Sequence, residues 1–365
     1  MAGKNEYTVF DYLQWRGDLT LQQDPFNEVD NLVLCIIAYI NLRKIDRLWS
    51  KNPKDAMPIG DVCARLTAAD EQLGLSSLDY IPVMRAAAET ERFRDTRLFA
   101  FESRNDEAKQ MQFAAVSFLL PDGSVFIAYR GTDTSLVGWK ENFNMSYLET
   151  VPAQARAAEY AQEVIRACKH RPYRIGGHSK GGNLAVFAAA RSTPDIQQRI
   201  LEVYNNDGPG FTDYLMGDPG YLAMVPRIKT YVPQSSVIGM LLEHEEPYTI
   251  IKSNQVSVLQ HDPYSWEVMG PNFVPMQSIT ADSQFVNQTI KAWIASMDTQ
   301  ERNRLVDALF GLLGTGGIDK ALDIFHPRNI RTYIKTLGND PETRQILSAE
   351  FQNLMEAAKR TRMQP

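Results

Sequence analysis

Residues 173–183 read Y-R-I-G-G-H-S-K-G-G-N, and no other stretch constrains the fold as tightly. Gly177-His178-Ser179-Lys180-Gly181 is a G-x-S-x-G pattern. A β-capable run, residues 173–175, leads into it, and a small-residue helical run, residues 183–190, leads out. Strand, sharp turn and helix in that order lift a serine hydroxyl clear of a sheet. The glycines matter because a Cβ at either position collides within so tight a turn. The helix N-terminus behind the turn offers free N–H groups to a developing oxyanion.

A serine hydroxyl is a weak nucleophile at neutral pH and needs a base within hydrogen-bond reach. The bland alternative is a glycine-rich turn with an incidental serine, and the flanking strand and helix count against it. A P-loop requires G-K-[ST], whereas Gly182 is followed by Asn183. No G-x-G-x-x-G opens a helix, so a dinucleotide fingerprint is absent too.

Behind such an elbow the remaining groups follow in the order Ser, Asp or Glu, His. Of the five histidines, His170 precedes the serine and His178 is its neighbour. His261 follows the last expected strand and is the expected base. His244 lies in an acidic run that reads as surface, and His326 lies in a helical region before Pro327. Asp207 ends a strand 28 residues after the serine and is the expected acid. Glu243 is its rival, and an Asx turn before Gly208 is the structural alternative. The backbone N–H of Lys180 is the expected first oxyanion donor. Thr132, at the end of a strand and in an early loop, is expected to give the second, with its hydroxyl adding a bond.

Bulk properties exclude several classes. The 365 residues carry a net charge of −6, which argues against a nucleic-acid partner. Cys35, Cys63 and Cys168 show no C-x-x-C spacing, so neither a disulfide framework nor a zinc site is expected. No metal or organic cofactor is needed for the chemistry above. The first residues contain no apolar signal-peptide core, and the most apolar stretch, residues 32–42, is too short to span a bilayer. A protein of the cytoplasm without a transmembrane segment is therefore expected.

Residues 1–80 read as mostly helical, with Leu32, Val33, Ile36, Ile37 and Ile40 on one face behind a cap at Asp30 or Asn31. Residues 78–92 form a second helical candidate. Strands are expected at 97–101, 112–120, 124–129, 173–175, 201–204 and 229–232, with a helix over 152–168. A terminal hairpin is expected from 248–252 and 256–260. Alternating strands and helices predict a mainly parallel sheet covered on both faces. From about 285 the chain returns to helical periodicity. The expected division is a helical region 1–80 packing on the core, an α/β core 81–285 and a helical region or cap 286–365.

Y-R-G-T-D at 129–133, Trp139, and G-H-S-K-G-G at 177–182 resemble the class 3, fungal-type lipases. G-H-S-K-G-G-N-L-A, Y-N-N-D-G-P-G-F at 204–211 and V-P-Q-S-S at 232–236 are closer to the bacterial Mbeg1-like family of the α/β-hydrolases. The likeness covers most of residues 25–300. It implies an α/β-hydrolase fold with helical additions and Ser179 as nucleophile. It does not imply a substrate; the expected function is a lipase- or esterase-like serine hydrolase taking a small acyl ester or lipid. It leaves open a thioesterase, peptidase or acyltransferase, or a binding protein without turnover. Two departures stand out. The strand at 229–232 runs into Gln234-Ser235-Ser236, where class 3 lipases carry their acid. Lys180 stands where lipases usually have an apolar residue, either anchoring an anionic substrate or forming an ion pair.

Overall fold

Eight strands lie side by side in chain order in the computed structural model, which describes residues 7–67, 70, 80–133, 135–315 and 327–363. They are β1 (Met57–Pro58), β2 (Arg97–Asp106), β3 (Met111–Leu119), β4 (Val125–Tyr129), β5 (Tyr173–His178), β6 (Ile200–Asn206), β7 (Ile228–Pro233) and β8 (Tyr248–Ile251). Strands β1 to β4 pair antiparallel, and β4 to β8 pair parallel. A two-stranded ribbon, β9 (Val268–Met269) and β10 (Asn272–Phe273), follows.

The helices before the elbow are α1 (Val9–Arg16), α2 (Glu28–Ile37), α3 (Ile59–Cys63), α4 (Ile81–Ala88), α5 (Leu136–Asn144) and α6 (Pro152–Ala167). Those after it are α7 (Lys180–Ala190), α8 (Pro194–Gln197), α9 (Asp213–Met216), α10 (Pro219–Met224), α11 (Ala281–Ala295), α12 (Thr299–Gly314), α13 (Pro327–Asn339) and α14 (Pro341–Met363). No helix among the described residues is long and apolar enough to cross a membrane.

Alternation along β4 divides the core. Val125, Ile127 and Tyr129 face α6 and α7, while Phe126 and Ala128 face α2. Both sets are fully buried because the parallel strands are covered on both faces. Helix α2 is apolar almost all round, so it is buried from Val29 to Ile37. Its N-cap is Asn27, whose side chain accepts from the backbone N–H groups of Val29 and Asp30. The expected caps, Asp30 and Asn31, are instead buried inside the helix. Asp30 meets the fully buried Arg92 and the Tyr12 hydroxyl there. Asn31 donates to Asn206 Oδ1 at 2.9 Å, tying α2 to the end of β6.

The second expected helix is shorter than its pattern, Ile81–Ala88, and residues 78 and 79 lie outside the described set. One expected strand is wrong. Residues 256–260 do not pair with β8; Ser257–His261 is a 3₁₀ turn. Ser257 adopts φ +53°, which ends extension, and Gln260 spends its side chain on Ser235 N and Gln255 O. The turn carries His261 back over the end of β5.

Helices α11 to α14 pack mainly on one another. Their layer is tied to the rest of the chain by contacts that include Phe310 of α12 edge-to-face with Phe143 of α5, and Ser283 of α11 donating to the carbonyl of Ser236.

Candidate active site

Strand β5 ends at His178 and α7 begins at Lys180, which leaves Ser179 alone in the turn. Ser179 adopts φ +59° and ψ −134°, a conformation that costs a non-glycine residue roughly 1–3 kcal/mol. The turn closes only because of its glycines. A Cβ on Gly177 would lie 2.1 Å from the backbone of Gly181, and one on Gly181 would lie 2.1 Å from the carbonyl of Tyr129. The Ser179 N–H donates to the carbonyl of Asn206, which fixes the turn against β6. Ser179 opens α7, so the first N–H groups of that helix have no partner four residues back.

Asp207 follows β6 directly and is fully buried at φ +53°. Its N–H donates to the carbonyl of Tyr231. Oδ1 accepts from Ser236 Oγ at 2.5 Å and from Gly239 N at 3.2 Å. Oδ2 lies 2.6 Å from His261 Nδ1. The two residues chosen from sequence order are therefore brought together. The Gln234-Ser235-Ser236 departure also acquires a meaning. Where a carboxylate was missing, Ser236 supplies a hydroxyl that holds the carboxylate of the preceding strand.

His261 is also held from behind. His178 Nε2 lies 2.8 Å from the carbonyl of His261, and the two rings sit 4.6 Å apart between centroids. A carbonyl only accepts, so the proton of His178 is on Nε2. Nδ1 then accepts from the Tyr39 hydroxyl at 2.9 Å. Burial, with His261 alongside, pushes the pKa of His178 well below the ordinary histidine value. His178 is thus a neutral donor. Trp266 packs edge-on to it and donates from its indole N–H to the carbonyl of Gln260.

Among the described residues, no hydrogen bond joins Ser179 Oγ to His261. The nitrogen of His261 not engaged by Asp207 is Nε2, the one a general base would use. Catalytic hydrogen bonds in unliganded sites are often loose and tighten only with substrate bound.

The loop after β4 borders the serine. A Cβ on Gly131 would lie 3.0 Å from Ser179 Cβ and 2.7 Å from the carbonyl of His178. Thr132, the expected second oxyanion donor, comes next in this loop. Its hydroxyl is not available as expected, because it is paired with the side-chain amide of Asn142 on α5.

The charge of Lys180 is spent inside the protein. Its ammonium meets the carbonyl of Gln112 at 2.6 Å, Gln112 Oε1 at 2.6 Å and Glu141 Oε2 at 2.8 Å. An ammonium has three donors, and all three are spent. The ion-pair reading of Lys180 therefore replaces the substrate-anchor reading. Glu141 accepts in addition from Ala153 N in the first turn of α6 and from Gln112 N. This one carboxylate ties α5, α6, α7 and β3 together beneath the loop after β4.

The rival residues lie elsewhere. Glu243 is exposed and pairs with Lys291. His244 is held by Glu246 and by the carbonyl of Gly239. His326 lies outside the described residues.

The family model for Mbeg1-like proteins matches residues 87–311. The chain belongs to the Mbeg1-like family. No curated protein and no solved structure matches it. In this Mbeg1-like chain the matched stretch starts later and ends later than the resemblance suggested. It contains Ser179, Asp207, Ser236 and His261. Tyr39 and Asn31, which brace the site from α2 and its C-terminal turn, precede the match.

Proposed function

We propose that this Mbeg1-like protein is a serine hydrolase of the α/β-hydrolase type, acting on carboxylic esters in the manner of a lipase or esterase. The observation that carries the reading is the Asp207–His261 pair at 2.6 Å, set beside a serine at positive φ on a strand–helix turn. Ser179 attacks the acyl carbonyl, and His261 Nε2 takes its proton. Asp207 orients His261 and stabilises its cation, while Ser236 and Gly239 N–H hold Asp207 in place. The backbone N–H groups of Lys180 and Thr132 receive the oxyanion. His261 then protonates the leaving alkoxide, and water resolves the acyl-enzyme by the same route.

Turnover of short-chain and long-chain p-nitrophenyl esters by purified protein tests the reaction. Ser179→Ala is expected to reduce it to the level of buffer. Unchanged hydrolysis in that variant would remove the proposal.

A second reading is a binding protein that kept the fold without turnover. The missing Ser179–His261 hydrogen bond favours it. It predicts no ester turnover by the wild type and saturable binding of an acyl compound that Ser179→Ala retains.

A further inference from the structure

The C-terminal helix pair carries charge of the opposite sign to the chain. Residues 327–363 contain seven Lys and Arg against four acids, whereas the whole protein has a net charge of −6. Helix α13 carries Arg328, Arg331 and Lys335 and no carboxylate.

Its two faces differ sharply. Tyr333 is buried against α12, in a cluster with Val306, Phe310 and Leu313. Turning away from it around the helix, Ile330 and Ile334 flank Tyr333 and Arg331 and Lys335 lie opposite; all four are exposed, with Ile334 at 66%. Beside it, α14 exposes Phe351 at 63%. A groove of about 370 Å³ runs between the two helices, lined by Leu337, Leu347, Phe351, Arg344, Ser348 and Gln352, with no acid among them. Among the described residues, Arg331, Lys335 and Arg344 form no ion pair. Cations left unneutralised beside outward-facing isoleucine and phenylalanine make an apolar patch that wants both an apolar phase and negative charge.

We propose that the α13–α14 face docks on an anionic lipid surface. Ile330, Ile334 and Phe351 enter the boundary between headgroups and acyl chains, and Arg331, Lys335 and Arg344 meet the headgroup phosphates. A basic amphipathic helix lying in the interface plane gains from both terms at once. The face belongs to the helical layer that contacts α5, the helix following the loop beside Ser179. The inference does not rest on the hydrolase reading, since binding needs no turnover.

Flotation of the full-length protein with vesicles tests it. Vesicles of phosphatidylcholine alone and of phosphatidylcholine with phosphatidylglycerol are compared at low and high salt. The protein is expected to float with the anionic vesicles only, and less so at high salt. Arg331→Glu/Lys335→Glu and, separately, Ile334→Glu/Phe351→Glu are expected to lower the bound fraction about tenfold or more. Thermal melting of both variants should match the wild type, because every substituted side chain is exposed. Three results would overturn the proposal: no flotation with anionic vesicles at low salt, flotation that both folded variants retain, or flotation with neutral vesicles to the same extent. Binding to soluble poly-glutamate without binding to vesicles would also overturn it and assign the face to an acidic protein.

Discussion

His178 Nε2 donates to the backbone carbonyl of His261 at 2.8 Å, and the two imidazoles lie 4.6 Å apart. One histidine therefore sets the position of the other. His178 belongs to the elbow, so in the proposed mechanism the base is indexed directly to the nucleophile beside it. His178→Ala removes the donor and the packing under the base. An ångström of misplacement at a reacting group costs on the order of 10²-fold in rate. A fall of that size in kcat, with KM little changed, is expected on a p-nitrophenyl ester, and His178→Gln should restore part of it. Equal kcat in wild type and His178→Ala would show that the contact is only packing.

The same histidine makes stability depend on pH. Its folded pKa is depressed by burial below the ordinary 6.5, so below that value the unfolded chain takes up a proton that the folded chain refuses. Stability is lost as pH falls from about 6.5 toward the folded pKa and is regained as pH rises. Thermal melting across that window should drop more steeply for wild type than for His178→Gln. Parallel curves would contradict the assignment of a neutral His178.

Ser236 holds Asp207 Oδ1 with a short hydroxyl bond in a fully buried setting. Ser236→Ala leaves that carboxylate oxygen with only the long bond from Gly239 N. Hydrogen bonds to charged groups contribute about 1.5–3 kcal/mol, so a loss of that order is expected in urea unfolding. Activity should fall far less than in Asp207→Asn, where the wrong tautomer of His261 would cost about 10⁴-fold. Equal losses in the two variants would mean that Ser236 does more than support the acid.

Lys180 and Glu141 form a buried ion pair, 1% and 0% exposed. Removing one partner of such a pair typically costs about 3–5 kcal/mol. Lys180→Met is expected to destabilise by that amount in denaturant unfolding. It should leave any preference between anionic and neutral esters unchanged. A selective loss of activity on anionic esters would return Lys180 to the role of substrate anchor.

Much of the site was legible because its parts follow one another in the chain. The elbow announced itself through glycine spacing and flanking periodicity. Asp207 followed from the order of elements, since it lies directly past β6, whereas His261 was chosen as the residue after an expected strand that is a 3₁₀ turn ending on His261 itself. What was not legible depended on contacts between distant segments. Tyr39 looks like any other residue at the end of an apolar run, and only the packing of α2 against β5 brings it to His178. Glu141 sits on a helix with ordinary polarity, and nothing in its spacing tells that four elements converge on it. Residues 256–260 read as a strand because β-branched and apolar residues alternate there. The positive φ of Ser257 and the tethered side chain of Gln260 bend them into the turn that delivers His261. Lys180 read two ways because a lone cation beside a nucleophile carries no sign of its partner until β3 and α5 are in place.

The central claim is that Ser179 is an activated nucleophile served by His261. Labelling with a fluorophosphonate probe, followed by intact mass, tests it on wild type, Ser179→Ala and His261→Ala. The account predicts one covalent adduct on the wild type, none on Ser179→Ala and little on His261→Ala. A folded wild type that takes no label, with detergent present to open the site, would contradict it, as would equal labelling of Ser179→Ala.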